Sequence, residues 1–195
     1  MDSLDTRTLI IVVVVVAVIA IAIAAYVLYQ KRQSRRLEQR FGPEYAAAVQ
    51  KLGSRAKAEA ELKKREKRVG RLDIVPLTPA EVSRFTQSWT RLQGSFIDDP
   101  KGVLIQADQL VRELLVKRGY PMADFERRAA DISVDHPAVV SNYRAAQLIL
   151  SRDQRGEAST EDLRKAVVHF RALFDELLGT EATRDKITPP TKLAA

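Results

Sequence analysis

The sequence predicts an all-α protein with one N-terminal transmembrane helix, a basic helical connector and a compact bundle of about five helices. Three observations predict it. Leu9 to Leu28 is a run of twenty residues without a charge. Beyond it, apolar residues recur at spacings of three and four. Pro, Ser, Thr and Asp stand where such stretches begin, and no segment of residues 79–178 carries the alternation of a strand.

The uncharged run holds fourteen Leu, Ile or Val, five Ala and one Tyr. A helix of that length spans about 30 Å, the thickness of a hydrocarbon core. In lipid every backbone group must be bonded within the segment, so helix wins over the strand preference of Val12 to Val16. Tyr26 and Tyr29 fall at headgroup depth, and the transmembrane helix is placed at 9–29. A cleaved signal peptide needs a positive start and a shorter apolar core. Residues 1–8, a short tail, carry Asp2 and Asp5 against Arg7, so an uncleaved anchor is expected. Lys31, Arg32, Arg35, Arg36 and Arg40 follow the run. By the positive-inside rule they put the N-terminus outside and the remaining chain in the cytoplasm. Ala20 and Ala24, four apart, are compatible with close approach of a second helix and so with a homo-oligomer, though ordinary Ala content explains them more simply.

The net charge of +7 is unevenly placed. Residues 31–78 hold fourteen basic and six acidic residues, whereas residues 79–178 hold fourteen and fifteen. The excess belongs to the membrane border, which argues against nucleic acid as a partner. With no cysteine there is no disulfide framework and no thiolate site.

Residues 30–78 form the connector. Leu37 and Phe41 begin an apolar stripe that Tyr45, Val49 and Leu52 continue past Gly42-Pro43, a helix end followed by a helix start. Ser54 precedes a charged helix, Arg55 to Val69, with i,i+4 pairs Glu59–Lys63 and Glu61–Arg65. This helix is expected as a stalk, a short coiled coil or a solvated spacer. Leu72 to Leu77 reads as an extended piece packed on the domain.

The bundle is expected at 79–179. Thr78-Pro79-Ala80-Glu81 is a capping box with Pro at the first helical position. Val82, Phe85, Trp89, Leu92 and Phe96 share the face behind it. Asp98, Asp99 and Pro100 start a second helix, with Val103, Leu104, Ala107, Leu110, Val111, Leu114 and Leu115 inward and Gly119 at its end. Tyr120-Pro121 is expected to open a third, with Met122, Phe125 and Ala129 inward. Asp135-His136-Pro137 opens a fourth, and Ser159 to Asp162 a fifth closed by Gly179. Residues 180–195 read as a disordered tail.

Several blocks resemble a family of uncharacterised bacterial single-pass membrane proteins: Arg40 to Tyr45, Phe96 to Pro100, Arg118 to Pro121, Arg128 to Pro137 and Thr160 to Arg164. The resemblance spans about residues 40–178 and implies a bacterial origin and a helical soluble region. It assigns no activity and no residue role.

Candidate chemistry is sparse. His136 lies beside Asp131 and Asp135, a pattern that suits a general base, yet a helix cap with His136 in the first turn explains it as well. His169 reads as a core-boundary residue. Arg127, Arg128 and Arg144 are expected to pair within the domain. Eight scattered glycines assemble no phosphate loop, and no metal or cofactor is implied. The expected function is a membrane-anchored interaction or scaffolding protein with the bilayer and another protein as partners. The first alternative is a lipid-surface module using Lys31, Arg32, Arg35, Arg36 and Arg40 for membrane-surface contact. The second is an enzyme using His136 with Asp131 or Asp135.

Overall fold

A computed structural model describes the backbone of residues 6–187 and the side chains of residues 9–179. The described residues contain helices and no strand, as the residue spacing predicts. In chain order they are α1 (Thr6–Phe41), α2 (Pro43–Leu52), α3 (Arg55–Val69), α4 (Pro79–Gly94), α5 (Pro100–Lys117), α6 (Phe125–Asp135), α7 (Val140–Gln154) and α8 (Thr160–Ile187). One of them, α1, is long and apolar enough to cross a membrane.

Local chemistry sets most of the starts. Pro stands at the first helical position of α2, α4 and α5. The Thr78 hydroxyl accepts from the Glu81 N–H at 3.3 Å and Glu81 accepts from the Thr78 N–H at 3.0 Å, so the predicted capping box forms. Hydrogen bonding from the Thr78 backbone, then from Lys117, holds the Glu81 carboxyl down at about 2. A depressed carboxyl stabilises the fold above its ordinary range, near 4.5, and that contribution is lost as pH falls toward 2. Thr78→Ala should cost about 1 kcal/mol in urea unfolding followed by Trp89 fluorescence, since Trp89 lies on the capped helix.

The main core collects Phe85, Trp89 and Leu92 of α4, the inward face of α5, Tyr143, Ala146 and Leu150 of α7, and Leu163, Phe170, Phe174 and Leu177 of α8. Each fully buried Leu, Val or Phe contributes about 1.5–3 kcal/mol by leaving water. Trp89 stacks on Phe174 with ring centroids 4.6 Å apart, so it is a core residue as expected. Asp108 is the polar exception on the inner face of α5. It is satisfied by Gln147 and by Arg112 at 2.7 Å.

Residues 72–77 are extended and lie across the end of α5, where the Val75 N–H donates to the Arg118 carbonyl at 3.0 Å. Gly119 makes this crossing possible. Its φ is +93°, and a Cβ there would stand 2.1 Å from the Asp73 carbonyl oxygen. Gly119→Ala should therefore cost about 2–3 kcal/mol, read as a lower urea midpoint at unchanged m-value.

Three expected boundaries change. The helix expected from Tyr120-Pro121 begins at Phe125, capped by Asp124, whose carboxylate accepts from the Arg127 N–H at 2.9 Å. Tyr120 is instead buried in the main core, and Met122 points outward at 61% exposure. Asp135 caps nothing: it is the last residue of α6, and the His136 N–H still donates to the Ile132 carbonyl at 2.8 Å. Pro137 disfavours helical backbone at His136, so α6 stops there and α7 starts at Val140. Gly179 does not end α8, which runs on to Ile187; the rest of the expected tail, 188–195, lies outside the described residues.

The connector holds a second core. Leu37 and Phe41 of α1, Tyr45 and Ala48 of α2, and Ala58, Leu62 and Val69 of α3 close on Val134 of α6. The helix α6 is the wall shared by both cores, with Ala129 and Ile132 facing the main one and Val134 the small one. Arg128 to Val134 is consequently buried without interruption. The α3 helix is not a free stalk: its buried stripe packs on α1, α2 and α6.

Candidate functional site

The chemistry-bearing residues gather where α1 leaves the apolar run and meets α3 and α6. From Leu28 to Leu37 the helix is unbroken, a rise of about 14 Å. Leu37 and Phe41, four apart, face the small core and are fully buried. The helix periodicity therefore turns Lys31, Arg32, Arg35, Arg36 and Arg40 outward or sideways.

Of the five basic residues expected at the membrane surface, Lys31, Arg32 and Arg35 are exposed, with no ion pair among the described residues. Arg36 and Arg40 turn toward α3 and share Glu66 at 3.3 and 3.2 Å. Arg40 also donates to the Val134 carbonyl at 3.4 Å and lies 3.8 Å from Asp135. Between these elements runs a cleft of about 580 Å³, lined by Arg36, Arg40, Lys63, Lys67, Glu66 and Asp135 above Gly70 and Val134. On the other side of α3 a groove of about 390 Å³ is lined by Lys51, Lys64, Arg68, Glu126 and Arg127.

Buried ion pairs join these helices. Glu44 of α2, 5% exposed, pairs with Arg144 of α7 and with Arg65 of α3 at 3.7 Å. Asp131 of α6, 1% exposed, accepts from the Arg68 Nε at 2.6 Å. Arg65 also pairs with Glu61 at 3.4 Å, as the i,i+4 spacing predicts. Glu59 instead accepts from the Tyr45 hydroxyl at 2.8 Å. Burial, and then this carboxylate, push the Tyr45 phenol up. Arg128 is buried against the Tyr143 hydroxyl at 2.7 Å, so it and Arg144 are used internally while Arg127 stays exposed.

His136 does not assemble with its neighbouring acids. Asp131 is held by Arg68, while Asp135 accepts from the Tyr120 hydroxyl at 3.1 Å and faces Arg40. The group on the His136 ring is Glu176 of α8, 3.1 Å from Nδ1, and the ring is almost wholly buried with Nε2 unpartnered. The pair ties α6 to α8. Burial, followed by the charge of Asp135, pushes the Tyr120 phenol well up, so it remains a donor at neutral pH. His169 bonds Asn142 at 2.9 Å, at the α7–α8 contact. Among the described residues no cluster of three His, Asp or Glu is placed to hold a metal.

Sequence reasoning missed Glu44, Asp108 and Glu176 as paired acids. Glu44 stands in a first turn, where an acid needs no partner beyond the helix dipole, and only its burial distinguishes it. Compared with known proteins, the chain matches no family model, no curated protein and no solved structure.

Proposed function

We propose that this chain is a single-pass membrane protein whose α1 anchors a helical domain at the cytoplasmic face and presents it to a protein partner. One observation carries the reading: α1 continues without a break from an exposed apolar surface into the small core. Leu9 to Tyr29 present large apolar side chains outward, with Ile21 at 69% and Tyr29 at 62% exposure. Such a surface belongs in a bilayer, not in water. The residues just beyond it are helical and packed, so a cleavage site within the run would remove the start of a helix that the domain uses. The five basic residues after the span, against Arg7 before it, favour a cytoplasmic domain. The ionic seam holding α2 and α3 to α6 and α7 makes the domain one body with its anchor, as a scaffold requires.

Affinity capture of the full-length protein from crosslinked membranes tests this. The expected result is a defined protein recovered with the whole chain and absent when only the anchor and its basic flank are expressed. Identical recoveries from both would refute the partner-binding reading.

A further inference from the structure

We infer that the outward ridge of α3 docks an acidic helix of the protein partner. The inference rests on the partner-binding reading and adds the surface and the partner's chemistry to it. Residues 55–71 hold eight basic and three acidic residues. All three acids are turned to groups of this chain: Glu59 accepts from the Tyr45 hydroxyl, Glu61 pairs with Arg65, and Glu66 pairs with Arg36 and Arg40. Three cations are held in the same way, Arg55 by the Tyr45 hydroxyl, Arg65 by Glu44 and Glu61, and Arg68 by Asp131. The other five, Lys57, Lys63, Lys64, Lys67 and Arg71, are exposed and make no ion pair among the described residues. At about 100° per residue, Lys57, Lys64 and Lys67 lie within a sector of about 80° with Ala60 between them, opposite the buried Ala58, Leu62 and Val69. Lys63 flanks this stripe and Arg71 follows the helix end. A solvated helix sets acids among its exposed cations, whereas here the acids face inward and the unpaired cations outward.

Charge and spacing select the occupant. Lys57 and Lys64 are two turns apart, about 10 Å, and Lys64 and Lys67 one turn, about 5 Å. Carboxylates at i, i+3 or i+4 and i+7 of a second helix recur at the same intervals, so a helix lying along α3 meets the lysines in register. Ala60, exposed at the centre of the stripe, leaves room for that approach. A bilayer surface takes a helix whose apolar face is free, and that of α3 is closed into the small core. Nucleic-acid sites add aromatic rings or base-reading side chains, and the stripe consists of Lys and Ala. A second copy of the chain presents the same positive ridge. Among the described residues the exposed acids that neither pair nor cap a helix, Glu38, Asp73, Asp98 and Glu113, stand on four separate segments and form no complementary face.

The test places the full-length protein in phosphatidylcholine nanodiscs and titrates it into a fluorescein-labelled, Ala-based helical peptide of about 20 residues with Glu at i, i+4 and i+7, read by anisotropy at low salt. The same peptide with Gln in place of Glu is the neutral control. Wild type should bind the Glu peptide about tenfold more tightly than the Gln peptide. Lys64→Ala with Lys67→Ala should weaken binding of the Glu peptide about tenfold. Arg91→Ala with Lys165→Ala, an equal loss of exposed charge on α4 and α8, should leave it unchanged. Circular dichroism confirms that both variants are folded. Equal weakening in the two double variants overturns the inference. So does displacement of the labelled peptide by duplex DNA or by phosphatidylglycerol vesicles at a lower total charge than by the unlabelled Glu peptide, which would give the ridge to a nucleic acid or a bilayer. Affinity capture that recovers no partner refutes the partner-binding reading as well, whereas capture undiminished in Lys64→Glu with Lys67→Glu refutes the ridge alone.

Discussion

Replacing Phe41 by alanine is expected to cost about 3–5 kcal/mol and to loosen the membrane-proximal helices first. Phe41 is wholly buried at the end of α1, against residues of α2, α3 and α6. Truncation leaves a cavity in a cluster of eight buried residues, too small to refill it by rearrangement. The adjacent Gly42 takes φ +46°, so the chain turns there, and among the described residues Leu37 and Phe41 are the side chains that α1 adds to this core. The check is limited trypsin digestion of the full-length protein in detergent, because α3 is rich in Lys and Arg. The Phe41→Ala variant should be cut within α3 much faster than wild type while Trp89, in the main core, keeps its native emission. Simultaneous loss of both signals would show that the two cores unfold as one.

Asp131→Ala should cost about 3–5 kcal/mol as well, for a different reason. The carboxylate is 1% exposed and its partner is the Arg68 guanidinium, 23% exposed. Removing the anion leaves a partly buried cation facing the shared wall of α6. The cost arises from that stranded charge and not from the loss of a favourable pair, since desolvation offsets most of the attraction. The double variant Arg68→Met, Asp131→Leu should therefore recover most of the stability lost in Asp131→Ala. Urea unfolding of the four members of this cycle measures it, and a double variant as unstable as Asp131→Ala would contradict the argument.

Much of the fold was legible because its signals are local. Pro at a first helical position fixes φ whatever lies elsewhere, so Pro43, Pro79 and Pro100 mark starts that the structure repeats. The apolar stripe of Leu37, Phe41 and Tyr45 was equally visible. Its receiving surface was not, because Val134 lies far along the chain and belongs to a helix that looks polar. That helix also misled the boundary reading. Tyr120-Pro121 and His136-Pro137 imitate helix starts, but burial of Tyr120 draws the first into the core, and the last turn of α6 already occupies Asp135. The site was the least legible. Glu44 and Arg144 are a hundred residues apart, and a balanced count of charges does not say which acids are enclosed. Asp131 and Asp135 seemed to belong to His136 because they are close in sequence. Asp131 and Asp135, one turn apart, share a face of α6 that meets Arg68, Tyr120 and Arg40, whereas His136 lies just past the end of that helix and turns to Glu176.

On the proposed topology α1 crosses the membrane once and carries its domain on the cytoplasmic face. The chain has no cysteine, so single cysteines introduced at Ser3 and at the exposed Gln154 report directly on sidedness. Labelling of sealed cells with a membrane-impermeant maleimide should modify the cysteine at position 3, and should reach the one at position 154 only after permeabilisation. Labelling at position 154 in sealed cells would contradict the account.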